Sequence, residues 1–163
     1  MKAISGNDEL DVSFGRGKAY LQGNRARVPL PDSSLTVEQL AVLRGTSDNF
    51  ALKIRFHDGA KHREVRPQSG LAQDVYDCVE DARVASIGSY LMKGVGDNLA
   101  AELEQNCFEQ GYGDILEQHD APLGTAVGLY IREKLGLPLP PTENLPGDRP
   151  DAFRLPVPAR QIW

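Results

Sequence analysis

The stretch LRGTSDNFALKIRFHDGAKH, residues 43–62, has two readings, and the fold class turns on which one holds. Residues 52–56, LKIRF, alternate like a strand, and Asp58-Gly59 is a two-residue hairpin signal. A hairpin there would set Lys53 opposite Glu64, with His57 and His62 diagonal on one face. Against it, Leu40, Leu43, Phe50, Ala51 and Ile54 recur at helical spacing without interruption. The helical period spans more of the chain. The stretch therefore reads as a helix running to about His57, with Asp58-Gly59 as its C-terminal stop. Ser34 stands where a cap is expected, while Gly45 and Ser47-Asp48 are expected to kink or split the helix.

Outward from this helix the chain reads as mainly α. Upstream, LDVSF alternates apolar and polar residues, GRG breaks it, and KAYLQ resumes before a Gly-Asn turn and RARVPLP. That pattern predicts a small N-terminal antiparallel β element, stopped by Pro29 and Pro31. Downstream, a long helix follows Pro67 and Gly70. Ala72, Val75, Tyr76, Val79, Ala82, Ile87, Tyr90 and Leu91 form its expected buried side, with Asp74, Asp77, Asp81 and Ala85 opposite. Gly94 and Gly96 interrupt it, and Asp97 is placed to cap NLAAELEQNCF, a helix ending near Gly111. Asp120 is expected to cap a last helix whose buried stripe is Leu123, Val127, Tyr130 and Ile131, closed by Gly136.

Residues 1–136 thus read as one helical domain. Residues 137–163 carry seven of the eleven prolines without apolar period, as a Pro-rich C-terminal arm or linker. The apolar ending at Trp163 suggests a piece of a longer protein. With 163 residues, 40% hydrophobic and 25% charged, the chain has the composition of a soluble globular domain. A net charge of −5 argues against nucleic acid as a partner. No apolar run reaches the ~20 residues that cross a bilayer, and MKAISGNDEL has no signal core, so a cytoplasmic location is expected. Cys78 and Cys107 make neither a disulfide framework nor a paired zinc motif and read as buried thiols.

Few motifs carry chemistry. Gly17-Lys18 lacks the earlier glycine and the following Ser or Thr of a phosphate loop, so a turn is expected. GVGDNL has no preceding strand, which excludes a dinucleotide site. Glu80 and Arg83, one helical turn apart, read as a surface ion pair rather than an acid with its tuning cation. His57, Asp58 and His62 are the candidate metal ligands, since two imidazoles and a carboxylate suit a divalent ion. Five residues do not put both histidines on one helical face, so a loop would have to unite them. The structural alternative is that they cap a helix end and tie down a loop.

Several pieces, in order, resemble one known family. They are Arg44-Gly45 with Asp48, His57-Asp58 with His62, Val79-Glu80 through Ala82-Arg83-Val84, Ile87-Gly88, and Met92 with Gly94-Val95 and Asn98-Leu99. Together, from about Asn7 to about Pro141, they resemble the N-terminal part of the CobT subunit of aerobic cobaltochelatase. Ala85-Ser86 stand where Glu-Ala is expected, and Cys78 where Ala is, so position 85 is given no role. The resemblance implies a three-component enzyme that uses ATP to insert cobalt into hydrogenobyrinic acid a,c-diamide in cobalamin biosynthesis. A large subunit binds the corrin and cobalt, and an AAA+ subunit hydrolyses ATP with Mg. The CobT-type subunit assembles with that ATPase in a ring complex. Relatives continue into a metal-ion-dependent adhesion module whose Asp-x-Ser-x-Ser motif does not occur here. The chain is thereby expected to be an assembly domain without catalytic residues or cofactor of its own, working in an oligomer. Arg44, Asp48, His57, His62, Glu80 and Arg83 are its family-motif positions, and Trp163 beside Arg160 has the composition of an interface anchor.

Overall fold

The computed structural model describes residues 1–31, 34–112 and 122–140. Its elements in chain order are α1 (Lys2–Ser5), β1 (Asp11–Gly15), β2 (Tyr20–Gln22), β3 (Arg25–Pro29), α2 (Val37–Phe56), α3 (Gly59–Val65), α4 (Gly70–Leu91), α5 (Val95–Glu109) and α6 (Leu123–Lys134). The expected mainly α domain with a small N-terminal sheet is what forms.

The helical reading of residues 43–62 holds as far as Phe56. Thr36, not Ser34, caps α2: its hydroxyl accepts from the Gln39 N–H while the Gln39 side chain accepts from the Thr36 N–H. This reciprocal pair satisfies two orphan donors and is worth about 1 kcal/mol. Gly45 and Ser47-Asp48 do not split α2, which runs unbroken through them. Gly45 has another task. A Cβ on it would lie 2.1 Å from the Asn98 carbonyl oxygen and 2.6 Å from Glu102 Cβ, so its bare backbone lets α5 lie against α2. Asp48, buried beside it, accepts from the Asn98 amide at 2.8 Å.

In the sheet β3 is central, with Ala26 and Val28 almost wholly buried. The β2–β3 hairpin is antiparallel around Gly23-Asn24, as expected. The antiparallel expectation does not extend to β1. That strand pairs with β3 in parallel, Val12 against Ala26 and Phe14 against Val28. Alternation along a strand says which face is buried but not which neighbour lies alongside.

Two further seams use small residues. Gly88 of α4 leaves room for Leu52, whose Cδ1 would lie 2.3 Å from a Cβ there. Leu52, Val84, Ala85, Val95, Leu99 and Leu137 form the central core, with Ile4, Phe56 and Met92 packed on it. Each large apolar side chain so buried contributes about 2 kcal/mol. On the other side of α4, Gly124 and Gly128 of α6 sit against Asp74 and Cys78. The stripes expected on α4 and α6 are therefore displaced. Tyr90 and Leu91 are exposed, Ala85 is buried, and α6 buries Gly124, Gly128 and Leu129 rather than Leu123. A stripe read from large side chains overlooks a contact made by glycine.

α5 is capped by Gly94 in the left-handed region (φ 89°), and Asp97 lies in its first turn, where a carboxylate suits the helix dipole. Gly136 (φ 69°) closes α6 as expected, and Leu137 beyond it is part of the core. Cys107 is buried, Cys78 half-buried, and both are free. Asp120 lies outside the described residues.

Candidate functional site

Between Phe56 and Gly59 the chain turns a corner. His57 and Asp58 are both extended, and this two-residue elbow separates α2 from α3. Asp58-Gly59 is therefore less a stop for α2 than a start for α3: the Asp58 carboxylate accepts from the N–H groups of Ala60 (3.0 Å) and Lys61 (3.1 Å). Among the described residues, those close enough together to hold a metal ion are His57, His62 and Glu80, a set without Asp58.

The elbow brings the two histidines together. Their ring centroids are 4.7 Å apart, edge to face, and both meet α4. His57 Nδ1 donates to Glu80 Oε1 at 2.9 Å, and His62 Nε2 donates to Asp77 Oδ1 at 2.8 Å. A carboxylate can only accept, so these bonds fix which ring nitrogen carries the proton in each neutral imidazole. Asp77 and Glu80 lie one turn apart on α4 and so face the same way. Behind them stand two arginines. Arg83 grips both Glu80 oxygens at 2.7 and 2.8 Å and also donates to the Phe56 carbonyl. Arg66 makes the same two-pronged contact with Asp77 through Nε and Nη2. Lys53 pairs with Asp81 at 2.9 Å on the groove's rim.

The Arg83 guanidinium, helped by His57, holds the Glu80 carboxyl down to about 2. Asp77 is lowered by Arg66 first and by His62 second. Both acids are ionised at neutral pH. The result is an open groove of about 440 Å³ lined by Lys53, His57, His62, Asp77, Glu80 and Asp81, with Arg63 and Arg66 at its side.

The structure thus unites His57, His62, Glu80 and Arg83 of the sequence-derived positions and leaves the others apart. Asp48 belongs to the α2–α5 seam, Arg44 is exposed on α2, and Trp163 lies outside the described residues. Sequence reasoning missed Asp77 and Arg66. The three-residue spacing of Asp77 and Glu80 was the available signal, since it puts both carboxylates on one helix face. The Glu80–Arg83 ion pair forms as expected, yet Glu80 also serves His57.

A family model described as cobalamin biosynthesis protein CobT matches residues 1–161. The chain belongs to the CobT family. No solved structure matches it. Membership in this family places the chain in cobalamin biosynthesis, consistent with a cobaltochelatase subunit, and the match runs beyond the limits of the sequence resemblance at both ends. Several CobT-like signature residues now have a structural account: Gly45 and Asp48 meet Asn98, Gly88 meets Leu52, and Gly94 opens α5. The His57, His62 and Glu80 positions are different, because they meet at the surface. No described helix of this CobT-family chain is long and apolar enough to cross a membrane.

Proposed function

We propose that this chain is an assembly domain of the CobT-type subunit of ATP-dependent aerobic cobaltochelatase, the enzyme that inserts cobalt into hydrogenobyrinic acid a,c-diamide. Its partners are the AAA+ subunit, which hydrolyses ATP with Mg, and the large corrin-binding subunit. The observation that carries this reading is the family match over residues 1–161. The fold supports it in a second way. Gly17-Lys18 lies in the connection between β1 and β2, with Gly17 at φ 97°, and Gly94-Val95-Gly96 forms the N-cap and first residues of α5. Both glycine motifs serve the backbone, in keeping with a reading that assigns nucleotide chemistry to the ATPase partner. An assembly domain also needs surface its own fold does not consume, and Val37 and Phe108 are 80% and 71% exposed beside a groove between α2 and α5.

Immobilised chain, offered the AAA+ subunit and the corrin-binding subunit separately, tests the proposal. Capture of the ATPase subunit, weakened when residues 142–163 are deleted, is the expected result. Capture of neither subunit ends the assembly reading. A micromolar nucleotide site found by calorimetry, on the order of −8 kcal/mol, ends the division of labour.

A further inference from the structure

We propose that His57, His62 and Glu80 form a three-ligand site for a borderline divalent cation, Co²⁺ or Zn²⁺ in type, with the remaining coordination position open to the groove. The inference uses only this chain's residues and stands whether or not the assembly role does.

Geometry comes first. One nitrogen of each ring and one Glu80 oxygen all lie within 4.8 Å of one another. Bonds of about 2.1 Å around a four-coordinate ion keep donors roughly 3.4 Å apart, so the widest pair closes by about an ångström while His57 Nδ1 and Glu80 Oε1, now 2.9 Å apart, open slightly. His57 has the freedom to move, because it sits on the elbow rather than inside a helix.

His62 is already arranged as a ligand. Its Nε2–H donates to Asp77, which leaves the lone pair on Nδ1. That Nδ1 is buried and has no hydrogen-bond partner among the described residues. Buried polar atoms are normally satisfied, and a cation would satisfy this one. The carboxylate-to-histidine bond behind it is the support that metal-binding imidazoles ordinarily have, and Arg66 holds Asp77 in turn.

His57 and Glu80 exchange one interaction for another. In the structure the His57 Nδ1–H donates to Glu80 Oε1. On binding, the ring proton moves to Nε2, so Nδ1 and the Glu80 oxygen both turn to the ion. Arg83 keeps its grip on the carboxylate and orients it. Two imidazoles and one carboxylate suit Zn²⁺, Co²⁺ and Ni²⁺ over Mg²⁺ or Ca²⁺, which take all-oxygen shells. Lys53, Arg66 and Arg83 are each tied to a carboxylate, so the groove is close to charge balance before the ion arrives. A dication would leave it positive, and the open position then favours water, hydroxide or an anionic group.

Titration of the purified 163-residue chain with Co²⁺ alone, followed in the visible range, is the test. The expected result is saturable one-to-one binding with the intense bands of a four- or five-coordinate ion, displaced by Zn²⁺. His57→Gln and His62→Gln each weaken affinity by about 100-fold or more, and Asp77→Asn by about tenfold through loss of support to His62. Circular dichroism checks that each variant folds, and chemical modification of histidines in the unaltered chain gives a reading that needs no variant: bound Co²⁺ shields His57 and His62. Weak unsaturable binding with the spectrum of the hydrated ion, or affinity indifferent to both groove histidines, overturns the proposal.

Discussion

Glu80 and Glu102 are the same residue type, each on a long helix, and the fold drives them in opposite directions. Glu80 faces the groove and is held down to about 2 by Arg83 and then His57. Glu102 lies in the α2–α5 seam, where burial raises it and the Asn49 amide, donating at 3.0 and 3.2 Å, offsets only part of that. In the groove, charges are paired within sight of water and stay available to something that arrives. In the seam, polar groups serve as spacers between helices, and ionisation is a burden. Position in the fold, not residue type, separates the part that can bind from the part that must hold.

The largest effect expected from breaking that contrast is steric. Gly45→Ala drives a methyl into the Asn98 carbonyl, a backbone atom that cannot swing away. The cost should be about 3 kcal/mol, a Tm fall of roughly 6–12 °C by calorimetry. Gly59→Ala, at the groove, meets only side chains, Arg63 at 3.4 Å and His57 at 3.8 Å, and should stay within about 0.5 kcal/mol. Equal losses at the two sites would erase the distinction.

Acid titration sharpens it. Glu80 has a folded value below its unfolded 4.5, so its contribution is complete above that pH and is lost as pH falls towards about 2. Glu102 is raised, so its contribution is largest below 4.5 and is lost as pH rises through its folded value. Glu80→Gln should therefore cost about 1–2 kcal/mol at pH 7, a figure reduced because Arg83 is half exposed, and should flatten the acid limb. Glu102→Gln should be the more stable protein at pH 7 and converge with the parent in acid. Urea midpoints at pH 3, 5 and 7 decide it, and parallel curves for both variants would refute the contrast.

Asp58→Ala removes two bonds to the first turn of α3 and should cost about 1 kcal/mol. Hydrogen exchange should quicken in residues 59–65 while α2 and α5 keep their protection. The smallest change is Lys53→Ala. Its pair with Asp81 is open to solvent, and stability should move by less than about 0.5 kcal/mol in a thermal melt.

Much of this arrangement was legible in the chain, and the failures have physical causes. The apolar spacing from Leu40 to Ile54 identified α2 because large side chains mark a buried face. On α4 and α6 the same reasoning misplaced the contact, since Gly88, Gly124 and Gly128 pack by what they lack. Asp58-Gly59 was a true signal with two meanings: Asp is as good at opening a helix as Gly is at closing one. The histidine cluster could not be read from spacing. Five residues along one helix turn about 140° away from each other, and only the elbow undoes that rotation.

That elbow also makes the chain intolerant of a change in length. His57 ends one helix and His62 lies within the next, so a residue added to or lost from the joint would re-aim α3 and carry His62 away from Asp77. Substitutions elsewhere in α3, which buries no residue of its own, leave that geometry alone. Apart from His62, the side chains of residues 59–65 should tolerate substitution, whereas the number of residues between the two histidines should not tolerate change.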